Sequence, residues 1–382
     1  MEKTAKPKVL FLVNDADFFV SHRLNLAVAA QRAGYRAIVS CPPSPTTQVL
    51  DDHGIEYVET VAVRGRNGPL GQLRTLASYN RALRTAKPDL VHLITAKPVI
   101  FGGSLARLRG LPTVSAISGL GYVFTSNRFR VRLLRALVCR GYAFALNRSL
   151  STVIFQNEVD RSIFARLRLT RRARTLIVKG SGVDLSRVVV HPEPAGPPIV
   201  LLPARLLRDK GVEEFAQAAL MVKERHPSVV FRLQGKLDPE NPTGLSADEL
   251  ARWIDEGWVE HVPHSTDVDQ MLADSHLVTL PSYREGFPKS LIDAAAAGRA
   301  VVTTDVPGCR DAIRPGVSGV LIPVRDAAAL ADAILELIED PDRRAAMGRE
   351  GRRLAEAEFD LERVTERHLE LYAQALLPEH RS

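Results

Sequence analysis

A single proline-rich interruption separates two rounds of the same strand–helix pattern, and this repetition constrains the fold more than any other feature of the chain. Short apolar runs rich in β-branched residues recur at 9–13, 36–40, 57–61, 90–94, 113–117, 152–155 and 175–178. Continuous apolar runs of this length read as strands buried on both faces. Helical stretches, the first at 24–33, separate most of them, which predicts a parallel sheet covered by helices. At 192–198 four prolines fall within seven residues, too many for regular structure. The alternation then restarts with strand 199–202, helix 213–224, strand 229–233, helix 247–255 and strand 276–280. Ser246 and Glu249 form a capping box for helix 247–255. Two long charged helices follow at 341–358 and 361–376. The expected division is a first domain at 1–190, a linker at 191–198, a second domain at 199–360, and a C-terminal helix at 361–382 packing back on the first domain. The fold class is α/β, with two doubly wound Rossmann-like domains facing a cleft and ligands at the carboxyl ends of the strands.

A length of 382 residues accommodates two such domains, and 45% hydrophobic with 25% charged residues is the balance of a globular protein. No apolar run reaches the roughly eighteen residues of a membrane span, and residues 1–8 lack the features of a secretory signal. Cys41, Cys139 and Cys309 are odd in number and widely spaced, which suggests free thiols in a reducing cytoplasm and no zinc site. The net charge of +7 is unevenly spread: 90–157 holds nine Lys or Arg and no Asp or Glu, and seven more cations lie between Arg161 and Lys179. Such a surface implies an anionic partner, whether a membrane, a diphosphate or a nucleic acid. Segment 127–147 mixes Phe129, Leu133, Leu134, Leu137, Val138 and Phe144 with five arginines. It reads either as a helix lying on an anionic membrane or as a core helix with a solvated rim. Residues 14–19 contain no glycine, which argues against a nicotinamide or flavin site. An aromatic-rich nucleic-acid surface and a helix-turn-helix are also missing from the sequence.

The most chemical stretch is Pro281-Ser282-Tyr283-Arg284-Glu285-Gly286-Phe287-Pro288-Lys289-Ser290-Leu291-Ile292-Asp293. It follows a buried strand and opens an alanine-rich helix, with Pro288 expected in the first helical turn. The backbone N–H groups of Phe287, Lys289, Ser290 and Leu291 would point out of that helix start toward a phosphate. Glu285 would stand above the phosphate and Asp293 two turns further on. The pattern reads as a cradle for a nucleoside diphosphate attached to a sugar, although acidic residues near a helix start are also ordinary dipole partners.

This block resembles the motif of retaining glycosyltransferases of the GT-B fold (family 4, or group 1), in which two Glu separated by seven residues grip a sugar nucleotide. Glu285 matches the first Glu, while Asp293 departs from the second, keeping two acceptor oxygens for the ribose hydroxyls but one methylene less reach. Further segments share the resemblance. In Pro203-Ala204-Arg205-Leu206-Leu207-Arg208-Asp209-Lys210-Gly211 it implies that Arg205 and Lys210 bind the diphosphate. Gly180-Ser181-Gly182-Val183-Asp184 resembles the family's turn at the end of the first domain, and is equally a plain turn. Gly235, with His264 and Asp267, lies where the family holds the nucleobase. Phe18-Phe19-Val20-Ser21-His22-Arg23 is similar to a bacterial subgroup that builds lipid-linked surface glycans. There Ser21 would be a helix N-cap, with His22 and Arg23 facing an acceptor phosphate, or His22 would make a structural bond to the loop. Where many relatives carry a His near the sugar, this chain has Ser118 and Gly119, followed by Gly121 and Tyr122.

The resemblance implies transfer of a sugar, with retention of configuration, from a UDP-sugar to a polyprenyl-diphosphate-linked or other glycan acceptor in the cytoplasm, at the inner face of the membrane. Arg205, Lys210, Glu285 and His22 are the expected catalytic residues. Asp293, Gly286, Phe287, Pro288, Lys289, Ser290, Leu291, Gly235, Ser118 and Gly119 are expected to bind substrate. No cofactor or metal is expected, since cations can balance the leaving diphosphate. With no assured carboxylate nucleophile, front-face departure and attack is the expected course. The rivals are a sugar-nucleotide epimerase or hydrolase of the same fold and a basic nucleic-acid-binding protein.

Overall fold

A computed structural model of the chain describes residues 6–61, 68–120, 124 and 129–377. Gly121, Tyr122, Asn127 and Arg128 lie outside the described residues. The chain forms two compact units, one from the residues up to Ser181 together with those from Val364 onward, the other from Gly182–Arg363.

The first unit is built on a seven-stranded sheet: β1 (Lys8–Leu12), β2 (Arg36–Cys41), β3 (Glu56–Glu59), β4 (Leu90–Ile94), β5 (Thr113–Ile117), β6 (Ser151–Phe155) and β7 (Arg174–Ile177). Its order is β3-β2-β1-β4-β5-β6-β7, with parallel pairings throughout. Every residue of β4 and β5 is buried, as expected of strands covered on both faces. Three helices of this unit carry the argument: α1 (Ala16–Arg32), α2 (Phe129–Leu146) and, from the end of the chain, the helix Leu361–Ala375. The last inserts Leu371 and Tyr372 among Phe11, Val39 and Ile94 of the first sheet.

The second unit repeats the plan with six strands: β8 (Ile199–Pro203), β9 (Val230–Gln234), β10 (Glu260–Val262), β11 (Leu277–Leu280), β12 (Ala300–Thr304) and β13 (Gly319–Ile322). Its order is β10-β9-β8-β11-β12-β13, again parallel. Helix α3 (Val212–Arg225) follows β8 and α4 (Lys289–Ala296) follows β11; the helix Leu361–Ala375 is hereafter α5. In each sheet strand order reverses once, between β1 and β4 and between β8 and β11. Loops leaving the carboxyl ends on either side of such a reversal diverge, and the crevice they leave is where open parallel sheets bind ligands.

Local chemistry departs from the sequence reading at three points. Helix α1 begins at Ala16, well before 24, because Asp15 caps it: its backbone is extended and its side chain accepts from Phe18 N–H at 3.1 Å. Ser21 is therefore inside the helix and not its cap, and its hydroxyl donates to the Asp17 carbonyl at 2.7 Å. Pro288 is the N-cap of α4, one step ahead of the first helical turn. The Ser246–Glu249 capping box forms as read.

Candidate functional site

The loops that follow β8 and β11 meet at the reversal of the second sheet. Gly211 ends the β8 loop with a left-handed φ of 77°, and a side chain there would collide with the Pro281 carbonyl. Tyr283 N–H donates to the Asp209 carbonyl at 2.9 Å, locking the two loops together. The Tyr283 hydroxyl donates to Glu214 at 2.7 Å, and the Arg325 guanidinium lies 4.5 Å from the centre of its ring. The loop after β12 supports the site from behind: the Thr304 hydroxyl donates to the Ser282 carbonyl, and a side chain on Gly308 would strike the Gly286 carbonyl.

This scaffold presents three cations, each beside a carboxylate. The Lys210 ammonium donates to Glu285, whose same oxygen accepts from the Ser282 hydroxyl at 2.6 Å. Both side chains are mostly buried. Lys289 holds both oxygens of Asp293, at 2.6 and 2.8 Å, one turn apart on α4. Burial pushes the Asp293 carboxyl up from its ordinary value, and Lys289 opposes that shift. Arg205 donates to Asp238 at 3.0 Å and is the most open of the three, with its side chain 59% exposed. At the start of α4 the N–H groups of Lys289 and Ser290 find no acceptor among the described residues. The Leu291 N–H differs from the expectation for it, because it already donates to the Pro288 carbonyl at 3.2 Å. Phe287 is buried edge-on against Phe359, which anchors the turn from below. Cys309, beneath Glu285, is fully buried, and burial pushes its thiol up to about 12, so it is inert there.

Gly235 lies at the end of β9, where a side chain would collide with the Ala204 carbonyl, so the close approach there is to the protein's own backbone. His264 is exposed; His261 is the imidazole that bonds the Gly235 carbonyl, at 2.9 Å. Gly182 packs against Leu361, and Asp184 accepts from Ser186 N–H at 3.0 Å, so 180–184 is a side-chain-stabilised turn.

In the first unit, His22 stacks on Phe18 with ring centres 4.2 Å apart, and its Nδ1 lies 2.7 Å from the Ser21 hydroxyl. Arg23 does not face a ligand surface. It is buried at 3% exposure, and desolvation lowers its guanidinium to about 10. Helical periodicity explains the correction: with α1 starting at Ala16, position 23 shares the inward face with Phe19 and Leu26. Ser118 and Gly119 leave the carboxyl end of β5 half-exposed, Gly119 with a φ of 127°. Asp238, Ser282 and His261 were not singled out in the sequence; each gains meaning only through a partner distant along the chain or through the loop's own turn.

No group of three or more His, Cys, Asp or Glu among the described residues is placed to hold a metal ion, and no helix among them is long and apolar enough to cross a membrane.

Comparison with known proteins places this architecture. Residues 187–354 match the family described as "Glycosyl transferases group 1", and residues 8–157 match "Glycosyl transferase 4-like". The chain is similar to the N,N'-diacetylbacillosaminyl-diphospho-undecaprenol alpha-1,3-N-acetylgalactosaminyltransferase of Campylobacter jejuni, at 26% identity over 97% of this chain and 99% of that protein. It is also similar to the glycogen synthase of Mycobacterium tuberculosis, at 24% identity over 93% and 90%. Among solved structures, sucrose-phosphate synthase from Thermosynechococcus elongatus superposes with a TM-score of 0.79 at 19% identity, covering 97% of this chain and 99% of that one. Anabaena Alr3699/HepE, solved with UDP and glucose, superposes with a TM-score of 0.79 at 21% identity, covering 96% and 99%.

Proposed function

The chain belongs to the group 1 glycosyltransferases of the GT-B fold, and on that premise we propose that it moves a sugar, with retention of configuration, from a UDP-sugar to a polyprenyl-diphosphate-linked glycan. The observation that carries this reading is the junction of Lys210 with Glu285 across the β8/β11 reversal, beside the free N–H groups of α4. The acceptor class is supported by the likeness, over nearly the whole chain, to an enzyme whose name specifies a diphospho-undecaprenol substrate.

As the sugar departs, negative charge grows on the β-phosphate. Arg205, Lys210 and the first N–H groups of α4 stabilise that charge without reorganising. Glu285 is fixed by Ser282 and Lys210 and turns its remaining acceptor capacity to sugar hydroxyls. Asp293 keeps lone pairs for the ribose beside Lys289. The acceptor hydroxyl attacks the face that the diphosphate leaves and gives its proton to the departing β-phosphate oxygen, and His22 and the Ser118–Gly119 loop serve the acceptor side. The base contacts the β9 and β10 loops near Gly235.

The acceptor's lipid places the reaction at an anionic cytoplasmic surface. Helix α2 supports this: Leu133 and Leu137 are 70% and 65% exposed beside exposed Arg132 and Arg140, while its other end, at Tyr142 and Leu146, is anchored in the core. Co-flotation with anionic vesicles at low salt checks it.

The decisive experiment incubates the purified protein with a panel of UDP-sugars, with and without an undecaprenyl-diphosphate-linked saccharide. Transfer to the lipid-linked saccharide with retained configuration is expected. Turnover of donor alone, equal with and without acceptor, would replace this reading with a hydrolase or epimerase.

A further inference from the structure

One contact at the site falls outside the sugar-nucleotide motif. Arg205 is paired with Asp238, 33 residues along the chain, in the loop after β9. Lys210 and Lys289 are paired with Glu285 and Asp293, the two carboxylates of the motif itself. Asp238 therefore needs its own explanation.

The loop that carries it is fastened along both sides to the segment that carries Arg205. Leu206 pairs with Leu237 and Leu207 with Gly244 as isolated β-bridges. Leu206 N–H donates to the Lys236 carbonyl at 3.0 Å, Arg208 N–H to Thr243 at 2.7 Å, and Leu245 N–H to Leu206 at 2.9 Å. Within the loop the Asp238 carbonyl accepts from Asn241 N–H at 3.0 Å, and a side chain on Gly244 would collide with that carbonyl. The Arg208 guanidinium clamps the outside, donating to the Gly244 carbonyl at 2.7 Å, to Glu213 at 2.8 Å and to Glu249. Backbone bonds on both flanks hold the Asp238 backbone beside the segment that carries Arg205.

A guanidinium has five N–H donors. Asp238 takes one, at NH1, and no other partner of the Arg205 side chain is found among the described residues. The carboxylate thus fixes the plane of an otherwise open side chain and leaves most of its donors available. It also places a negative charge where a diphosphate would bind.

We propose that Asp238 is a positioning residue with a second effect: it orients Arg205 toward the donor's diphosphate, and its charge keeps the nucleoside diphosphate product from binding too tightly. This rests on the donor reading above. A product that carries more negative charge than the donor, retained by Arg205, Lys210 and a helix start, leaves slowly, and a fixed carboxylate on one of those cations weakens the product complex. Orientation and repulsion separate by substitution. Asp238→Asn keeps an acceptor oxygen and removes the charge; Asp238→Ala removes both.

The test titrates UDP, GDP and ADP calorimetrically into the wild type, D238N, D238A and R205A, and measures donor KM, kcat and product inhibition. In D238N the preferred diphosphate is expected to bind tighter by roughly fivefold, with product inhibition strengthened and kcat lowered. In D238A donor KM is expected to rise, because Arg205 is no longer held. A loop that served stability alone would weaken binding in both variants. Unchanged or weaker diphosphate affinity in D238N overturns the proposal, as does a D238A variant with wild-type KM. If R205A binds as the wild type does, or the wild type binds none of the three, the donor reading itself falls. If R205A loses affinity while D238N gains none, only the role of Asp238 falls.

Discussion

The first unit buries Arg23 and the second buries Arg299 and Arg344, and Arg23 and Arg344 solve the same electrostatic problem in opposite ways. In the second unit Arg344, 4% exposed, is gripped by both oxygens of Glu193 at 2.8 and 2.6 Å and donates to the Leu337 carbonyl. In the first unit the equally buried Arg23 donates only to the His22 carbonyl, at 3.3 Å, and its Nε finds no acceptor among the described residues. Its neighbours are neutral groups. His92 shares a hydrogen bond with the Tyr372 hydroxyl and stacks on Phe11 and His368. Burial, with Arg23 adding repulsion, holds His368 down to about 3 and His92 well below its ordinary value. One core balances a charge with a countercharge; the other suppresses every further charge around it. Bringing a buried arginine and a carboxylate together offsets the cost of burial only while both partners remain, whereas a neutral shell ties the fold to pH.

The largest effect expected from the paired design is catalytic. Lys210→Ala should lower turnover by roughly two to three decades at saturating donor, as loss of one transition-state donor does. Near-wild-type turnover would detach the paired cations from chemistry. Next is the buried pair itself. Glu193→Ala strands Arg344 and should destabilise the second unit by about 3 kcal/mol in urea titration. Arg23→Met, by contrast, removes an uncompensated charge and should be neutral or stabilising in the same assay. Equal losses in the two variants would erase the contrast.

The pH response comes third. The folded-state pKa of His368 lies below its unfolded value, so the unfolded chain takes up protons first, and the stability of the first unit falls as pH drops below about 6.5 toward 3. At pH 5 this lag amounts to about 2 kcal/mol. In the second unit burial lowers His276 as well, but Glu193 opposes it. Glu249, held down to about 2 by its bonds from Ser246 and then Arg208, keeps its contribution until far lower pH. Hydrogen-exchange protection factors, which correct for the intrinsic rate, should therefore fall from pH 7 to pH 5 in β4 and α5 more than in β8 and β11. The smallest effect is a control: Arg36→Ala and Arg225→Ala each break an exposed pair, with Glu56 and Glu339, and should leave the denaturation midpoint of either unit nearly unchanged.

Much of the architecture was legible because buried parallel strands are written as continuous apolar runs. Ten of the thirteen strands among the described residues were read directly. β12 was not, because Ala300–Thr304 directly follows a helix and Gly298 with no loop between to set it apart. The start of α1 was missed because Asn14-Asp15-Ala16-Asp17 looks like a loop; only the Asp15 cap signals a helix. The cations and carboxylates of the site were legible as residues, but their pairing was not. That Lys210 meets Glu285 depends on β11 lying beside β8, a topological fact no local pattern encodes. Asp238 was invisible for the same reason, and Arg23 because solvated and buried arginines are spelled alike.

The helix that closes the first core lies beyond the second unit along the chain. During synthesis the whole of Gly182–Arg363 is made before Tyr372 exists to meet His92. The earlier lobe therefore waits with an uncovered flank until the later one has been made. Translation thus ties the closing of the half made first to the completion of the other, and a chaperone that guards nascent chains would find its longest-lived client surface on the half that was made first.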